Sequence, residues 1–171
     1  MAVSAKVEVV IKDACIMFDL IDLGLLDGFY QLELIVMTTP GVIAEILDET
    51  QLKQVQVYID NGRLQIDTSG TLEDLDQIVE ANPGLSFTDA SVLDLATRHK
   101  ATVLSSDQSL RKESQKRGLT VRGLLWIIEQ LHLEQILAIE VMLEKLKLYQ
   151  ELNKWAPRSH IEALIKKYAT S

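Results

Sequence analysis

The sequence predicts an α/β protein: a three-layer α/β/α sandwich with a mainly parallel, twisted sheet and additional C-terminal helices. Short apolar runs rich in β-branched residues alternate with amphipathic segments of helical period, which is typical of strands and helices that follow one another. Turn and cap residues separate these segments. From residue 124 onward the pattern is helical throughout.

Five short apolar runs are the predicted strands. The first, residues 7–11, reads Val-Glu-Val-Val-Ile and is typical of a buried strand. In the run at 64–67, apolar and polar residues alternate after the turn signal Asn61-Gly62. The remaining predicted strands are residues 32–37, 101–104 and 119–121.

The predicted helices begin at residues that are typical caps. Thr39 is a plausible N-cap because Pro40, which follows it, suits the first helical position. For two later helices the cap is left open, between Ser69 and Thr71 and between Ser86 and Thr88. The predicted helices cover about residues 16–23, 40–47, 71–80, 86–99, 108–117, 124–131, 134–153 and 159–168.

Length and composition indicate one soluble domain with a helical extension. The chain has 171 residues, 47% hydrophobic and 25% charged, which is ordinary for a globular protein. We expect a domain at 1–125 and a helical extension at 126–171 packed on the same domain. No apolar stretch is long enough for a membrane helix, and the first ten residues do not resemble a secretory signal. The single cysteine, Cys15, excludes an intrachain disulfide and indicates a cytoplasmic location.

The charge is unevenly distributed along the chain. The net charge is -8, which by itself disfavours binding to the phosphates of nucleic acid. However, residues 1–100 hold 6 basic and 17 acidic residues, whereas residues 101–171 hold 11 basic and 8 acidic ones. This asymmetry is consistent with a carboxylate site beside a basic contact surface.

Two aspartates follow predicted strands at matching places. Asp13 comes just after the strand at 7–11, and Asp107 comes just after the strand at 101–104. In open parallel sheets, ligands bind beyond the carboxyl ends of the strands, so these side chains are expected to face one another. Glu45 and Asp89 lie in helical segments with apolar neighbours, which indicates constrained positions. Four converging carboxylates are tolerable when a hard divalent cation lies between them.

Four segments resemble, in order, the acidic motifs of the PIN-domain nucleases. They are Val10–Cys15, Thr39–Ile46, Leu85–Ser91 and Val103–Gln108, within a resemblance that covers roughly residues 5–125. The resemblance implies binding of Mg²⁺ or Mn²⁺ by Asp13, Glu45, Asp89 and Asp107, with Ser105 as an accessory polar group. It implies an endoribonuclease, often the toxin of a toxin–antitoxin pair, with RNA as substrate, an antitoxin as partner and a homodimer as assembly. The extended helical C-terminus resembles a less characterised subgroup and departs from the compact toxins.

Two other functions stay open. One is a catalytically silent PIN-like module that binds a protein partner through its helical extension and apolar surface. The other is a structure-specific DNA nuclease with the same chemistry. An intact set of four mutually repelling carboxylates favours an enzyme over a module.

Several other polar and aromatic residues have more than one interpretation. A basic cluster follows Asp107 and is either a solvated helix face or an RNA-backbone contact. Trp126 and Trp155 could stack bases, but their apolar helical context favours packing. The basic cluster is Arg111, Lys112, Lys116, Arg117 and Arg122. The residues interpreted as solvated helix positions are Asp19, Asp22, Asp48 and Asp94, of which Asp94 lies near the third motif.

Overall fold

Five short strands form one parallel sheet, as the sequence predicts. The computed structural model describes residues 7–11 and 14–170. The strand order is β3-β2-β1-β4-β5, and every neighbouring pair is parallel. The strands are β1 (Val7–Ile11), β2 (Leu34–Thr38), β3 (Leu64–Ile66), β4 (Thr102–Leu104) and β5 (Val121–Arg122).

The central strand β1 is bonded on both edges. Val9 pairs with Val36 of β2 on one side and with Thr102 of β4 on the other. Consecutive residues of β2 and of β4, whose side chains point to opposite faces, are buried: Val36 and Met37, then Val103 and Leu104. Burial on both faces explains why the strands are continuous apolar runs. The full three-layer arrangement stays a prediction.

The strand order places a topological switch point between β1 and β4. From β1 the chain proceeds to β2 on one side, whereas from β4 it proceeds to β5 on the other. Ligands of open parallel sheets bind in the crevice that forms where the order reverses. The segment after β4 carries Asp107, and the segment after β1 carries Asp13, which lies outside the described residues.

The chain divides into two compact units. The first comprises residues 1–18 and 33–123, and its described residues hold the whole sheet. Helix α1 (Ala14–Asp22) begins in this unit and ends in the other. The other helices of the first unit are α3 (Pro40–Ala44), α4 (Glu49–Asp60), α5 (Leu72–Ala81), α6 (Phe87–His99) and α7 (Gln108–Lys116).

Side-chain caps begin the helices of the first unit. Thr39 accepts a hydrogen bond from the Val42 backbone, and Pro40 is the first helical residue, as predicted. Of the alternatives left open, Thr71 caps α5 and Ser86 caps α6. These bonds satisfy backbone N–H groups that have no partner inside the helix.

The predicted helix through residues 40–47 is shorter in the structure. It ends at Ala44, and Glu45 is its C-cap. The backbone N–H groups of Glu45 and Ile46 bond to carbonyls three residues back, which tightens the last turn and stops the helix. A separate helix, α4, then begins at the cap residue Asp48.

The second unit is helical and comprises residues 19–32 together with the chain from residue 124 onward. The sequence analysis did not predict α2, whose residues Leu26, Phe29 and Tyr30 are buried. Its packing against α8 brings Gly28 close to Leu131. The helices wholly within this unit are α2 (Leu26–Gln31), α8 (Leu124–Leu133), α9 (Ile139–Leu152) and α10 (Arg158–Ala169).

The turn between α8 and α9 is longer than predicted. Gln135 has a φ of 63°, in the left-handed region, so the helix cannot continue through it. The backbone N–H groups of Ile136 and Leu137 both bond to the Leu131 carbonyl. Helix α9 therefore begins at Ile139, not at residue 134. Among the described residues, no helix has the length and apolar character needed to cross a membrane.

Candidate functional site

The turn after β4 holds Asp107 through its own helix cap. The Asp107 Oδ1 atom accepts a hydrogen bond of 2.9 Å from the backbone N–H of Leu110. The Asp107 backbone N–H in turn donates to Ser105 Oγ at 3.0 Å, and Ser105 is fully buried. Among the described residues nothing bonds to Asp107 Oδ2. One carboxylate oxygen therefore fixes the side chain, and the other keeps its capacity to bind a ligand.

Arg111 braces the same turn from one helical turn further along. Its Nη1 atom donates to the backbone carbonyl of Ser105 at 2.7 Å. The Ser105 backbone N–H bonds to the Arg122 carbonyl of the neighbouring strand β5 at 3.0 Å. Arg111 was predicted to contact RNA, and in the structure its guanidinium supports the turn that carries Asp107.

Asp89 lies in the first turn of α6, within a capping box. Its Oδ2 atom accepts from the Ser86 backbone N–H at 3.2 Å, while its own backbone N–H donates to Ser86 Oγ at 3.0 Å. Asp89 is only 7% exposed. A carboxylate at a helix N-terminus is stabilised by the helix dipole, so this position can hold a buried negative charge.

Three turns adjoin at the carboxyl edge of the sheet. Thr39, just after β2, pairs its Oγ1 with Ser91 Oγ of α6 at 2.9 Å. On the other side, a Cβ added to Gly84, in the loop before α6, would lie 3.6 Å from Ser109 Oγ of α7. The first turn of α6, with Asp89, therefore lies between the segment after β2 and the segment after β4.

The structure brings the four predicted carboxylates together only in part. Asp89 and Asp107 lie on adjoining turns, whereas Glu45 is exposed at the end of α3 and its side chain makes no hydrogen bond with the described residues. Asp13 lies outside the described residues. Among the side chains that the structure describes, no three His, Cys, Asp or Glu groups are close enough to hold a metal ion.

The donors in the crevice suit a hard divalent cation. Carboxylate oxygens are the ligands that Mg²⁺ and Mn²⁺ prefer, and the caps already orient two of the carboxylates. A buried, ionised carboxylate such as Asp89 gains stability from a nearby cation. These residues therefore carry the type of ligand atom that such an ion prefers.

The predicted RNA-contact residues differ in the ion pairs and hydrogen bonds that their side chains make within the protein. Lys112 is exposed and makes no ion pair with the described residues. Lys116 and Arg117 each lie 3.7 Å from Glu113, and Arg117 also donates to Thr97 Oγ1. Of the four RNA-contact candidates Arg111, Lys112, Lys116 and Arg117, Lys112 is the one whose charge has no partner among the described residues.

The expectation that Trp155 packs in the protein is wrong. Its side chain is 83% exposed. It lies in the turn between α9 and α10, where its backbone N–H bonds to Asn153 Oδ1 at 2.9 Å. Lys154 Nζ is 5.3 Å from the centre of its ring. The turn, and not a helical face, sets the direction of this side chain.

Asp94 is also not the solvated residue that the sequence indicates. Its Oδ2 atom bonds to Arg98 Nε at 3.0 Å, and its side chain is 14% exposed. Arg98 further bonds to Asp67 and Ser69 in the loop after β3. Burial raises the pKa of the Asp67 carboxyl, but hydrogen bonds from Arg98 and Ser69 outweigh it and lower this pKa to about 2.

An Arg98→Met variant is expected to be less stable and more sensitive to acid. Because the folded-state pKa of Asp67 is below its ordinary value of 3.8, its contribution is present above about pH 4 and lost as the pH falls toward 2. Without Arg98 this pKa rises, and the free energy of unfolding at pH 7 falls by about 1–2 kcal/mol. We expect a decrease nearer to about 1 kcal/mol, because the Arg98 side chain is 36% exposed and solvent partly screens its charge. Urea unfolding from pH 2 to pH 7 measures the effect.

The matched control for this prediction is Arg63→Met, which removes an exposed arginine with no ion pair to the described residues. Its pH profile should follow the wild type. If Arg98→Met and wild type have the same pH dependence, the ion pair does not stabilise the fold.

Comparison with known proteins agrees with the fold. Over residues 9–169 the chain matches the family model DUF3368, described as a PIN domain. The crystal structure of PAE2754 from Pyrobaculum aerophilum is similar, with a TM-score of 0.53 and 15% sequence identity over 74% of this chain and 96% of that one. At this identity the likeness concerns the fold alone. No curated protein matches. The chain therefore belongs to the PIN-domain family, whose members are generally nucleases.

Proposed function

We propose that this protein is a Mg²⁺- or Mn²⁺-dependent endoribonuclease. The observation that carries the proposal is the cap-held carboxylate of Asp107, which follows β4 at the switch point, next to the strand that leads to Asp13. Asp89 adds a second fixed carboxylate from the adjoining turn. Membership of a nuclease family supports the same chemistry.

Asp13, Asp89 and Asp107 would hold the ion directly. Glu45 would complete the site directly or through water, and its exposed side chain has no competing bond among the described residues. When bound, the ion lowers the pKa of a water molecule and offsets charge that develops on the phosphate. Ser105 acts as an accessory group that holds the Asp107 backbone.

The proposed reaction is hydrolysis of an RNA phosphodiester bond. Water attacks the phosphorus atom, the bond from phosphorus to the 3′ oxygen breaks, and the leaving 3′ oxygen takes up a proton from solvent. One product then carries a 5′-phosphate and the other a 3′-hydroxyl. Glu45 would orient the attacking water and accept its proton, which is general-base catalysis by a carboxylate. Lys112 would contact the RNA backbone near Asp107.

The toxin role, an antitoxin partner, a homodimer and a cytoplasmic location stay predictions. The silent protein-binding module is the second candidate function. It is favoured by exposed apolar side chains, among them Leu47 at 87% and Trp155 at 83% exposure. Tryptophan is enriched at protein–protein interfaces relative to the rest of the surface, so Trp155 is the residue that most favours this function.

Cleavage of labelled single-stranded RNAs with Mn²⁺, with Mg²⁺ and with EDTA tests the proposal. We expect internal cuts with either ion and none with EDTA, and single-stranded DNA of the same sequence should be cut more slowly. Mn²⁺ should also raise the midpoint of thermal unfolding, because an ion that binds only the folded state stabilises it. Neither cleavage nor a shift with Mn²⁺ would favour the binding module, and faster DNA cleavage would favour a DNA nuclease.

A further inference from the structure

A groove of about 340 Å³ lies within the first unit, beside the candidate site. Its walls include the start of α3 and the first three turns of α6. The loop after β3 and the start of α5 complete it. A groove of this volume can accommodate a small planar group.

Residues that line the groove are close in sequence to two of the candidate carboxylates. Phe87 and Thr88, which line it, immediately precede Asp89. Pro40 lines it from the first turn of α3, the helix that Glu45 caps. A substrate whose phosphate lies at the carboxylates therefore has a neighbouring nucleotide near the groove.

The charge of the groove disfavours a phosphate. Among the described residues that line the groove, Arg98 is the single basic one, and its guanidinium is bonded to both Asp67 and Asp94. Two carboxylates against one guanidinium leave an excess of negative charge. An anion would be repelled, whereas an uncharged group with hydrogen-bond donors would be attracted.

The remaining lining suits the faces and the edge of a nucleobase. Phe87 is 44% exposed and Leu72 is 72% exposed, so aromatic and aliphatic faces are available for stacking. Arg98 Nε donates a hydrogen bond to Asp94 Oδ2, while Asp94 Oδ1 has no bond to the described residues. A carboxylate oxygen accepts a hydrogen bond from the exocyclic amine of cytosine or adenine, which uracil lacks.

We propose that this groove binds an unpaired nucleobase of the substrate RNA, next to the bond that is cut. The base stacks on Phe87 and donates its exocyclic amine to Asp94, so adenine and cytosine are preferred over uracil. This inference rests on the proposed function, since RNA must be the substrate for the groove to select a base.

Binding without cleavage tests the groove separately from the chemistry. Fluorescence anisotropy with labelled short oligomers of A, C and U, in EDTA, gives the Kd of each for wild type and variants. We expect Phe87→Ala to weaken binding of the A and C oligomers about tenfold, because it removes the stacking face. Phe87→Leu, which keeps an apolar side chain, should lie between the two. Asp94→Asn should reduce the preference for A and C over U.

The matched control is Val57→Ala, which truncates an exposed apolar residue of α4 outside the groove and should bind as wild type does. Thermal unfolding of each variant shows that its fold is intact, and Phe87→Leu remains informative if Phe87→Ala fails to fold. Equal Kd values for Phe87→Ala, Phe87→Leu and wild type would overturn the proposal. Equal affinity of wild type for the three oligomers would also overturn the proposal. The groove would then be a site for an apolar side chain of a protein partner.

The two proposals fail in distinguishable ways. Phe87-dependent, base-selective binding without cleavage by Mn²⁺-loaded wild type supports the groove and overturns the nuclease. Cleavage by wild type together with binding that is indifferent to Phe87 supports the nuclease and overturns the groove.

Discussion

Replacing Asp107 with Asn is expected to reduce RNA cleavage roughly a hundredfold or more while leaving the fold almost as stable as wild type. The cap bond from the Leu110 backbone goes to a carboxylate oxygen that the amide oxygen of Asn can replace. Asn and Asp are comparable N-caps, so α7 should still begin at the same residue. The negative charge that a divalent cation requires is lost. Rates of RNA cleavage and the midpoint of thermal unfolding, measured on the same preparation, separate the two effects.

Asp48→Asn is the matched control for this variant. Asp48 caps α4 with the same bond, from the Gln51 backbone to its Oδ1 at 2.9 Å, and it is not a candidate ligand. Both Asn variants should keep their caps, and only the one at Asp107 should lose cleavage. Asp107→Ala should lose cleavage and also about 1 kcal/mol of stability. If Asp107→Asn cuts RNA as wild type does, then Asp107 is a helix cap and nothing more.

A helix cap and a metal ligand are compatible roles for one carboxylate. Asp107 and Asp89 each use one oxygen for a backbone N–H, and this bond fixes the side chain without neutralising its charge. Ligands that are held in place before the ion binds lose less conformational entropy on binding. From sequence, an aspartate after a strand can be interpreted as either a cap or a ligand. The structure shows that an aspartate that caps a helix with one carboxylate oxygen can still be interpreted as a metal ligand.

Local signals made much of the first unit predictable. The Thr39-Pro40 pair indicated the start of α3, and the start of α6 was predicted to within two residues, at Ser86 or Thr88, of which Ser86 is the cap. Gly118, which directly follows the predicted helix at 108–117, has a φ of 75°, which favours glycine. Each of these signals lies within a few residues of the feature that it specifies.

Features that depend on distant residues were not predictable in this way. Asp67 and Arg98 are 31 positions apart, so no local pattern indicates their ion pair or the groove above it. Trp155 lies in the turn between α9 and α10, and a sequence pattern does not give the direction of a side chain in a turn.

Helix α2 shows the same limit in the second unit. Six residues with a glycine near the middle form a weak helix on their own. Its stability must come from packing, and Gly28 permits the approach of Leu131 and Ile136, whose side chains lie 3.7 and 3.5 Å from a Cβ built there. Both contacts come from the chain beyond residue 124, which a reading of the sequence assigns to a separate extension.

A fragment of residues 1–125 is therefore expected not to fold stably. The segment 19–32 belongs to the helical unit, and α2 packs on α8, of which the fragment keeps only the first two residues. Buried side chains such as Phe29 would lose partners, and exposing each large one costs about 1.5–3 kcal/mol. Because a whole domain is stable by only about 5–15 kcal/mol, a few such losses suffice to unfold it. Circular dichroism of the fragment should show no cooperative thermal transition.

Two measurements separate this cause from general damage by truncation. Adding residues 126–171 as a separate chain should restore a cooperative transition, because it returns the packing surface for α2. In the full-length chain, Gly28→Ala should be tolerated, since its Cβ makes ordinary contacts, whereas Gly28→Leu should cost about 1–3 kcal/mol by overpacking against Ile136. A fragment 1–125 that unfolds cooperatively near the full-length midpoint would instead establish the sheet-bearing part as an independent domain. The α2 segment would then not need the C-terminal helices for its stability.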